Sequence, residues 1–266
     1  MQFPEQADRA VESSRLLLHS GFRSRFLPGD RNITVYLPPG YDQNAHRNYP
    51  ALYLQDGQNL FASRANPEIR TWGFAESADQ AIQAGEAEPL LVVGIANAGE
   101  RRLAEYTPTA DWELGGGEAD KYGLMLTQEI LHFIASSYRV KSGAANTGLG
   151  GSSLGALASL YLGLKYSEIF GKLALLSPSV WWNHRAILTM VGNAPRHRIK
   201  PRIWLDVGEA EGRRNVVDSD LLERKLRSRG WRPGLDLSYE RIPGGSHDEA
   251  SWAERVKPML RFLFPA

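Results

Sequence analysis

The stretch Gly150-Gly151-Ser152-Ser153-Leu154-Gly155-Ala156 constrains this chain more than any other. It carries Gly-x-Ser-x-Gly centred on Ser153, after a weakly apolar run and before a helix of small residues. A serine in that setting fits a strained strand-to-helix turn that lifts its hydroxyl out of a sheet. Glycine two residues to either side lets the backbone turn tightly without Cβ clashes. Ser152 is the weaker centre, because Gly150 and Leu154 would then flank it, and leucine does not suit a crowded turn. The five residues alone describe a glycine-rich loop just as well, so the rest of the chain has to decide.

Residues 32–37 alternate Ile33, Val35 and Leu37 with Thr34 and Tyr36, the period of a half-buried strand, and residues 15–19 read as a partner. Residues 51–54, 90–95, 172–176 and 202–207 are continuous apolar runs, which suit strands covered on both faces. Residues 144–149 are placed as the strand before Ser153 by context, having little β-branched content, and 235–239 as the last strand. Helices are expected over 72–84, around Leu126, Ile130, Phe133 and Ile134, along Leu157, Leu160, Tyr161 and Leu164, and over 219–229. Trp252, Val256, Met259, Leu260 and Leu263 mark a closing helix containing Pro258. Residues 97–121 read as a loop. Strands alternating with helices give an α/β class with a mostly parallel central sheet, helices on both faces and an antiparallel edge. That is an α/β-hydrolase plan, with the Ser153 turn at its middle.

At 266 residues with 42% hydrophobic and 23% charged residues, the chain has the means for a sizeable core. No linker or repeat divides it, so one domain over 1–266 is expected, with the polar start 1–12 extended or poorly ordered. A net charge of +1 and scattered Lys and Arg argue against nucleic acid as a partner. No apolar run approaches the roughly 18 residues of a membrane span, and the start lacks the apolar core of a signal peptide. Cytoplasmic is therefore the default expectation, although a secreted mature form would look the same. The absence of cysteine excludes disulfides, thiolate metal sites and a cysteine nucleophile. No dinucleotide, phosphate-loop or metal-ligand spacing is complete, so no cofactor is expected.

In this architecture an acid and then a histidine follow the nucleophile. Of six histidines, His19, His46 and His132 precede Ser153, His184 follows a tryptophan pair, and His197 precedes the strand that should deliver the acid. His247 alone lies beyond that strand, in Gly244-Gly245-Ser246-His247-Asp248. Among the acids, Asp206 lies within a strand, and Asp218 and Asp220 read as helix-start residues. Glu209 and Glu211 remain, and chain order does not separate them. The oxyanion hole needs two backbone N–H groups, expected from Leu154 and from Gln58 in the Gln55-Asp56-Gly57-Gln58 turn.

The stretch from Leu52 to Phe61, with Asp56-Gly57-Gln58-Asn59-Leu60-Phe61, resembles the signature of the putative-esterase family of enterochelin-esterase-like and feruloyl-esterase-like hydrolases. The 150–155 turn, Ser177-Pro178-Ser179-Val180-Trp181-Trp182, Asp206-Val207-Gly208, and His247 followed by Glu249, Ala250 and Trp252 fit it too. The resemblance spans about residues 32–264. It implies Ser153 as nucleophile, His247 as base and Glu211, three residues after Gly208, as the acid. Ala156 stands where relatives carry a second glycine. The implied activity is cofactor-free hydrolysis of a small-molecule or acylated-carbohydrate ester; transfer of the acyl group and non-catalytic binding are the alternatives. About 25 residues after Ser177 leave no room for a large lid domain. Trp181, Trp182, Trp72, Tyr106 and Arg102 are therefore candidates for substrate contact at an open cleft. Packing is the alternative for the aromatics, and a loop-anchoring ion pair with Glu105 for Arg102.

Overall fold

The computed structural model describes residues 11–13, 15–61, 70–194 and 200–266. They form β1 (Val11–Ser13), β2 (Leu16–Phe22), β3 (Arg31–Tyr36), β4 (Ala51–Gln55), α1 (Phe74–Gln83), β5 (Leu91–Ile95) and α2 (Arg102–Tyr106). A ribbon of β6 (Ala110–Asp111) and β7 (Gly115–Gly116) precedes α3 (Ala119–Met125) and α4 (Leu131–Ser137), which are joined by a π-helical turn, Leu126–Ile130. Then come β8 (Thr147–Ser152), α5 (Leu154–Lys165), β9 (Lys172–Leu176) and α6 (Trp182–Asn193). The chain closes with β10 (Arg202–Gly208), α7 (Arg213–Ser228), β11 (Leu237–Ile242) and α8 (Glu249–Leu263). Of the polar start 1–12, residues 1–10 lie outside the described residues, as does His197.

One nine-stranded sheet runs β1-β2-β3-β5-β4-β8-β9-β10-β11. From β5 through β11 every neighbouring pair is parallel, and β1 to β3 add the antiparallel edge. The continuous apolar runs have a direct cause. In β4, Ala51 and Tyr53 enter one core while Leu52 and Leu54 enter the other, and β9 divides Leu173 and Leu175 from Ala174 and Leu176 in the same way. Successive side chains point to opposite faces, so a strand covered on both sides has no polar position to spare. The first core takes side chains from α3, α4, α5, α6 and α7, and the second from α1 and α8. This is the α/β-hydrolase arrangement, with no large lid among the described residues.

Several elements differ from the sequence reading. The expected loop 97–121 holds α2 and the β6–β7 ribbon. A five-residue helix shows no period; α2 is pinned instead by Glu105, which pairs with Arg31 at 2.9 Å with both side chains fully buried. Helix α7 begins at Arg213 rather than 219, so Asp218 and Asp220 sit inside it and are not helix-start residues. Asp218 instead receives Arg185 Nε at 2.7 Å, and Asp220 pairs with Arg241. Helix α6, absent from the sequence reading, begins with Asn183, His184 and Arg185 in left-handed backbone, at φ 40°, 55° and 64°. Strand β8 begins at Thr147, and it is held by ladders to β4 and β9 rather than by branched side chains.

Candidate active site

The parallel strands all point one way, so the turns after them gather at one edge of the sheet, where ligands of such folds are met. After β8 comes Ser153, at φ 56° and ψ −123°, a region nearly closed to side-chain-bearing residues. The turn is held by Ser153 N–H donating to Leu176 O at 3.0 Å and Ser179 N–H donating to Ser153 O at 3.1 Å. Gly155 has no alternative, since a Cβ there would stand 2.9 Å from Gln55 Cβ. The Ser153 hydroxyl is half-buried and lies 3.1 Å from the Ser179 hydroxyl. Ser152, by contrast, is buried within β8.

After β10, a single 3₁₀ turn brings Glu211 inward while Glu209 stays exposed. Glu211 Oε2 meets His247 Nδ1 at 2.8 Å, with the Glu211 side chain fully buried and that of His247 38% exposed. Of the two acids that chain order left open, Glu211 is the one in contact with His247. Glu211 Oε1 accepts from Gly208 N–H at 2.7 Å and from the Ser177 hydroxyl. Burial alone would raise the Glu211 carboxyl, but the bonds from His247, Ser177 and Gly208 outweigh it and hold it below the usual glutamate range. His247 stands after β11, edge-on to Trp252 at 5.0 Å. Among the described residues no hydrogen bond joins His247 to Ser153.

Beneath this pair lies a layer that sequence reasoning missed. Arg255 of α8 is buried, donating from Nη1 to Asp206 Oδ1 at 2.7 Å and Ser177 Oγ at 2.8 Å, and from Nη2 to Ser251 Oγ at 2.8 Å and Ser246 O at 3.1 Å. The Asp206 carboxyl is pushed up to about 6 by burial, against the pull of Arg255 and Trp204. The signal was in the sequence: Arg255 falls on the apolar stripe of Trp252, Val256 and Met259, where a charge needs a buried partner.

The turn after β4 carries Gln58 within a 3₁₀ turn, Gly57–Asn59, with Asp56 left-handed at φ 56°. Asn59 Nδ2 donates to Glu249 Oε1 at 3.1 Å, tying this turn to the start of α8, two residues beyond His247. The candidate substrate contacts divide. Trp72, Trp182 and Tyr106 are 2%, 1% and 0% exposed, so they pack rather than line a cleft. Trp72 lies against Trp252, Trp182 donates from Nε1 to Thr109 O at 3.0 Å, and the Tyr106 hydroxyl accepts from Asp56 N–H at 3.2 Å. Arg102, 29% exposed, is bound by Asp56 rather than by Glu105. Of the candidate aromatics Trp181 alone is half-buried, with its ring 6.0 Å from that of Trp182. Among the described residues no three potential metal ligands cluster, and no helix is long and apolar enough to cross a membrane.

The family model described as Putative esterase matches residues 24–263. The Bacillus subtilis (strain 168) protein YbbA, described as uncharacterized, is 31% identical over 261 residues, covering 92% of this chain and 96% of its own. Among solved structures, the BES protein from Bacillus cereus superposes with a TM-score of 0.76 at 19% identity, covering 98% of this chain and all of its own. The enterobactin esterase FES from Shigella flexneri, solved in the presence of 2,3-di-hydroxy-N-benzoyl-glycine, gives 0.73 at 19% identity over 96% of this chain and 60% of its own. The low identities of both structures speak to the fold, and the family match speaks to the chemistry. The chain belongs to the putative esterase family and is a carboxylic ester hydrolase.

Proposed function

We propose that this hydrolase is a serine esterase in which Ser153 attacks, His247 moves the proton and Glu211 holds His247. The observation that carries the reading is the 2.8 Å bond between Glu211 Oε2 and His247 Nδ1, made at the sheet edge that also bears the strained Ser153. With its Nδ1 proton committed to Glu211, the ring keeps a lone pair on Nε2 to act as base. The Ser179 contact does not compete with that role. A serine oxygen that accepts from Ser179 still has its own proton to give.

In the first half-reaction Ser153 Oγ bonds to the ester carbonyl carbon while its proton passes to His247 Nε2. The carbonyl oxygen gains the negative charge, and the N–H groups of Leu154 and Gln58 are the donors proposed for it. The C–O bond to the alcohol then breaks, and His247 returns the proton to the departing oxygen. Water, deprotonated by His247, next attacks the acyl-enzyme, releasing the carboxylic acid and the Ser153 hydroxyl. Glu211 stabilises the imidazolium in both halves without taking its proton.

Ser153→Ala is the direct test, scored by hydrolysis of p-nitrophenyl acetate and by covalent labelling with a fluorophosphonate probe. Loss of both with an unchanged thermal midpoint is expected, and retention of most activity sinks the assignment. A panel of acetyl, feruloyl and catecholate-type esters then reads the acyl preference. Added alcohol acceptors in the same assay distinguish transfer from hydrolysis.

A further inference from the structure

Ser177 follows β9, is 3% exposed, and holds a left-handed backbone at φ 46°. Its hydroxyl has three polar neighbours from three parts of the chain. Trp252 Nε1 lies 3.1 Å away, Arg255 Nη1 2.8 Å away, and Glu211 Oε1 is the third. A hydroxyl has two lone pairs and one proton, whereas indole and guanidinium nitrogens only donate. Both lone pairs are therefore taken, and the proton has one place left to go, which is Glu211. The direction of this bond is set by its neighbours and cannot reverse.

We infer that Ser177 is a positioning residue that keeps Glu211 an oriented acceptor and thereby fixes the proton of His247 on Nδ1. The inference rests on the reading of Ser153, His247 and Glu211 given above. At Glu211, Oε1 receives Ser177 and the Gly208 N–H at 2.7 Å, so the face turned away from His247 is filled by donors. Oε2 is left to meet the imidazole. A proton on Oε1 would meet one of these donors head-on, so the network favours the anion. His247 then completes the chain only as the Nδ1–H tautomer, which leaves Nε2 free as base.

Arg255 does not do this directly. Its Nη1 sits 2.7 Å from Asp206, whereas its Nη2 is 3.5 Å from Glu211 Oε1. The guanidinium charge is matched mainly by Asp206, and the closer contact reaching the Glu211 carboxylate from this side is the Ser177 hydroxyl. Asp206 also accepts from Ser177 N–H at 3.2 Å, which fixes the backbone that aims the hydroxyl.

Ser177→Ala and Ser177→Thr separate a positioning role from a packing one. Alanine removes the hydroxyl and little else, while threonine keeps it but adds a branched carbon where φ is 46°. For Ser177→Ala, kcat on p-nitrophenyl acetate should fall about 10- to 100-fold, comparable to losing an outer-shell partner of a metal-bound histidine. KM should stay within about two-fold, as expected when an interaction made in the transition state is lost. The downfield proton resonance of His247 Nδ1–H should shift or broaden in Ser177→Ala. Ser177→Thr should lose thermal stability yet keep that resonance and most of kcat. Activity that follows the thermal midpoint across the two variants, or a Ser177→Ala enzyme with unchanged kcat and resonance, overturns the inference. If wild-type protein neither hydrolyses esters nor labels with fluorophosphonate, the esterase reading fails by itself. The resonance still decides whether Ser177 sets the tautomer.

Discussion

Arg102 grips the Asp56 carboxylate with both arms of its guanidinium, Nε at 2.7 Å from Oδ1 and Nη2 at 2.8 Å from Oδ2. Asn97 Nδ2 adds a third donor at 2.6 Å, and the Asp56 N–H is taken by the Tyr106 hydroxyl. Asp56 holds the left-handed turn that precedes Gln58, so these groups fix the loop proposed to bind the oxyanion. Through Asp56 they hold the backbone of that loop.

Arg102→Lys tests this. Lysine offers a point charge and cannot reproduce a two-armed grip. Losing one oxyanion donor outright costs about 2.7–4 kcal/mol of transition-state stabilisation, and a loosened one costs less. A fall in kcat of about 10-fold with little change in KM is expected for a short ester, as for a loss confined to the transition state. A raised KM with unchanged kcat would instead make Arg102 a substrate contact.

Glu209 and Glu211 give a paired test of the acid. Glu211→Gln keeps shape but presents an amide to His247, which spoils the tautomer; in a serine protease the equivalent change costs roughly 10⁴-fold in kcat. Glu209 is exposed at the start of the same 3₁₀ turn, and Glu209→Gln should be silent. Equal losses in both variants, measured at saturating substrate, would remove Glu211 from its role.

The central sheet and the Ser153 turn were legible because they depend on local pattern: uninterrupted apolar runs, and glycine where a side chain cannot fit. Chain order singled out His247 as the candidate base, the only histidine beyond the strand that bears the acids. What stayed hidden depends on contacts between distant residues. Glu211 and Glu209 differ by two positions in sequence, and only the turn of the chain after Gly208 buries one and exposes the other. Trp72, Trp182 and Tyr106 could not be told from cleft aromatics, since composition does not reveal which face of a ring is covered. The Ser177–Arg255–Asp206 layer joins the ends of β9 and β10 to α8, and no spacing rule links them.

Glu211 and Asp206 belong to one network yet load it with opposite pH dependence. Burial pushes on Glu211, but its hydrogen bonds win and lower it, so the unfolded chain takes up that proton first as pH falls. Its contribution to stability is full above the ordinary glutamate range and drains as pH drops through the lower folded value. Burial raises Asp206 to about 6, so the folded chain holds that proton longer. Its contribution is full below the ordinary aspartate value of about 4 and is lost as pH climbs through about 6. Two pH units correspond to roughly 3 kcal/mol. Urea unfolding of wild type and Asp206→Asn at acidic and neutral pH reads this: the stability gap should shrink by up to that amount as pH rises. A gap that widens with pH would mean that Arg255 wins over burial at Asp206.

Gly57 offers the sharpest steric test of the oxyanion loop. A Cβ at this position would stand 2.3 Å from Gly94 C and 2.5 Å from Ile95 N, both backbone atoms of β5. No side chain can swing away to relieve that contact, so in Gly57→Ala either the loop or the central strand must move. The loop is the softer of the two, because β5 is bonded on both sides, to β3 and to β4. Gln58 N–H would then be displaced while Ser153, His247 and Glu211 keep their places. Removing one donor corresponds to about 10²–10³-fold in kcat. Gly57→Ala should therefore fold, judged by its circular dichroism, and hydrolyse p-nitrophenyl acetate slower by that factor. Its His247 Nδ1 proton resonance should be that of wild type. Full activity in a folded Gly57→Ala protein would show that the turn after β4 does not supply the second donor.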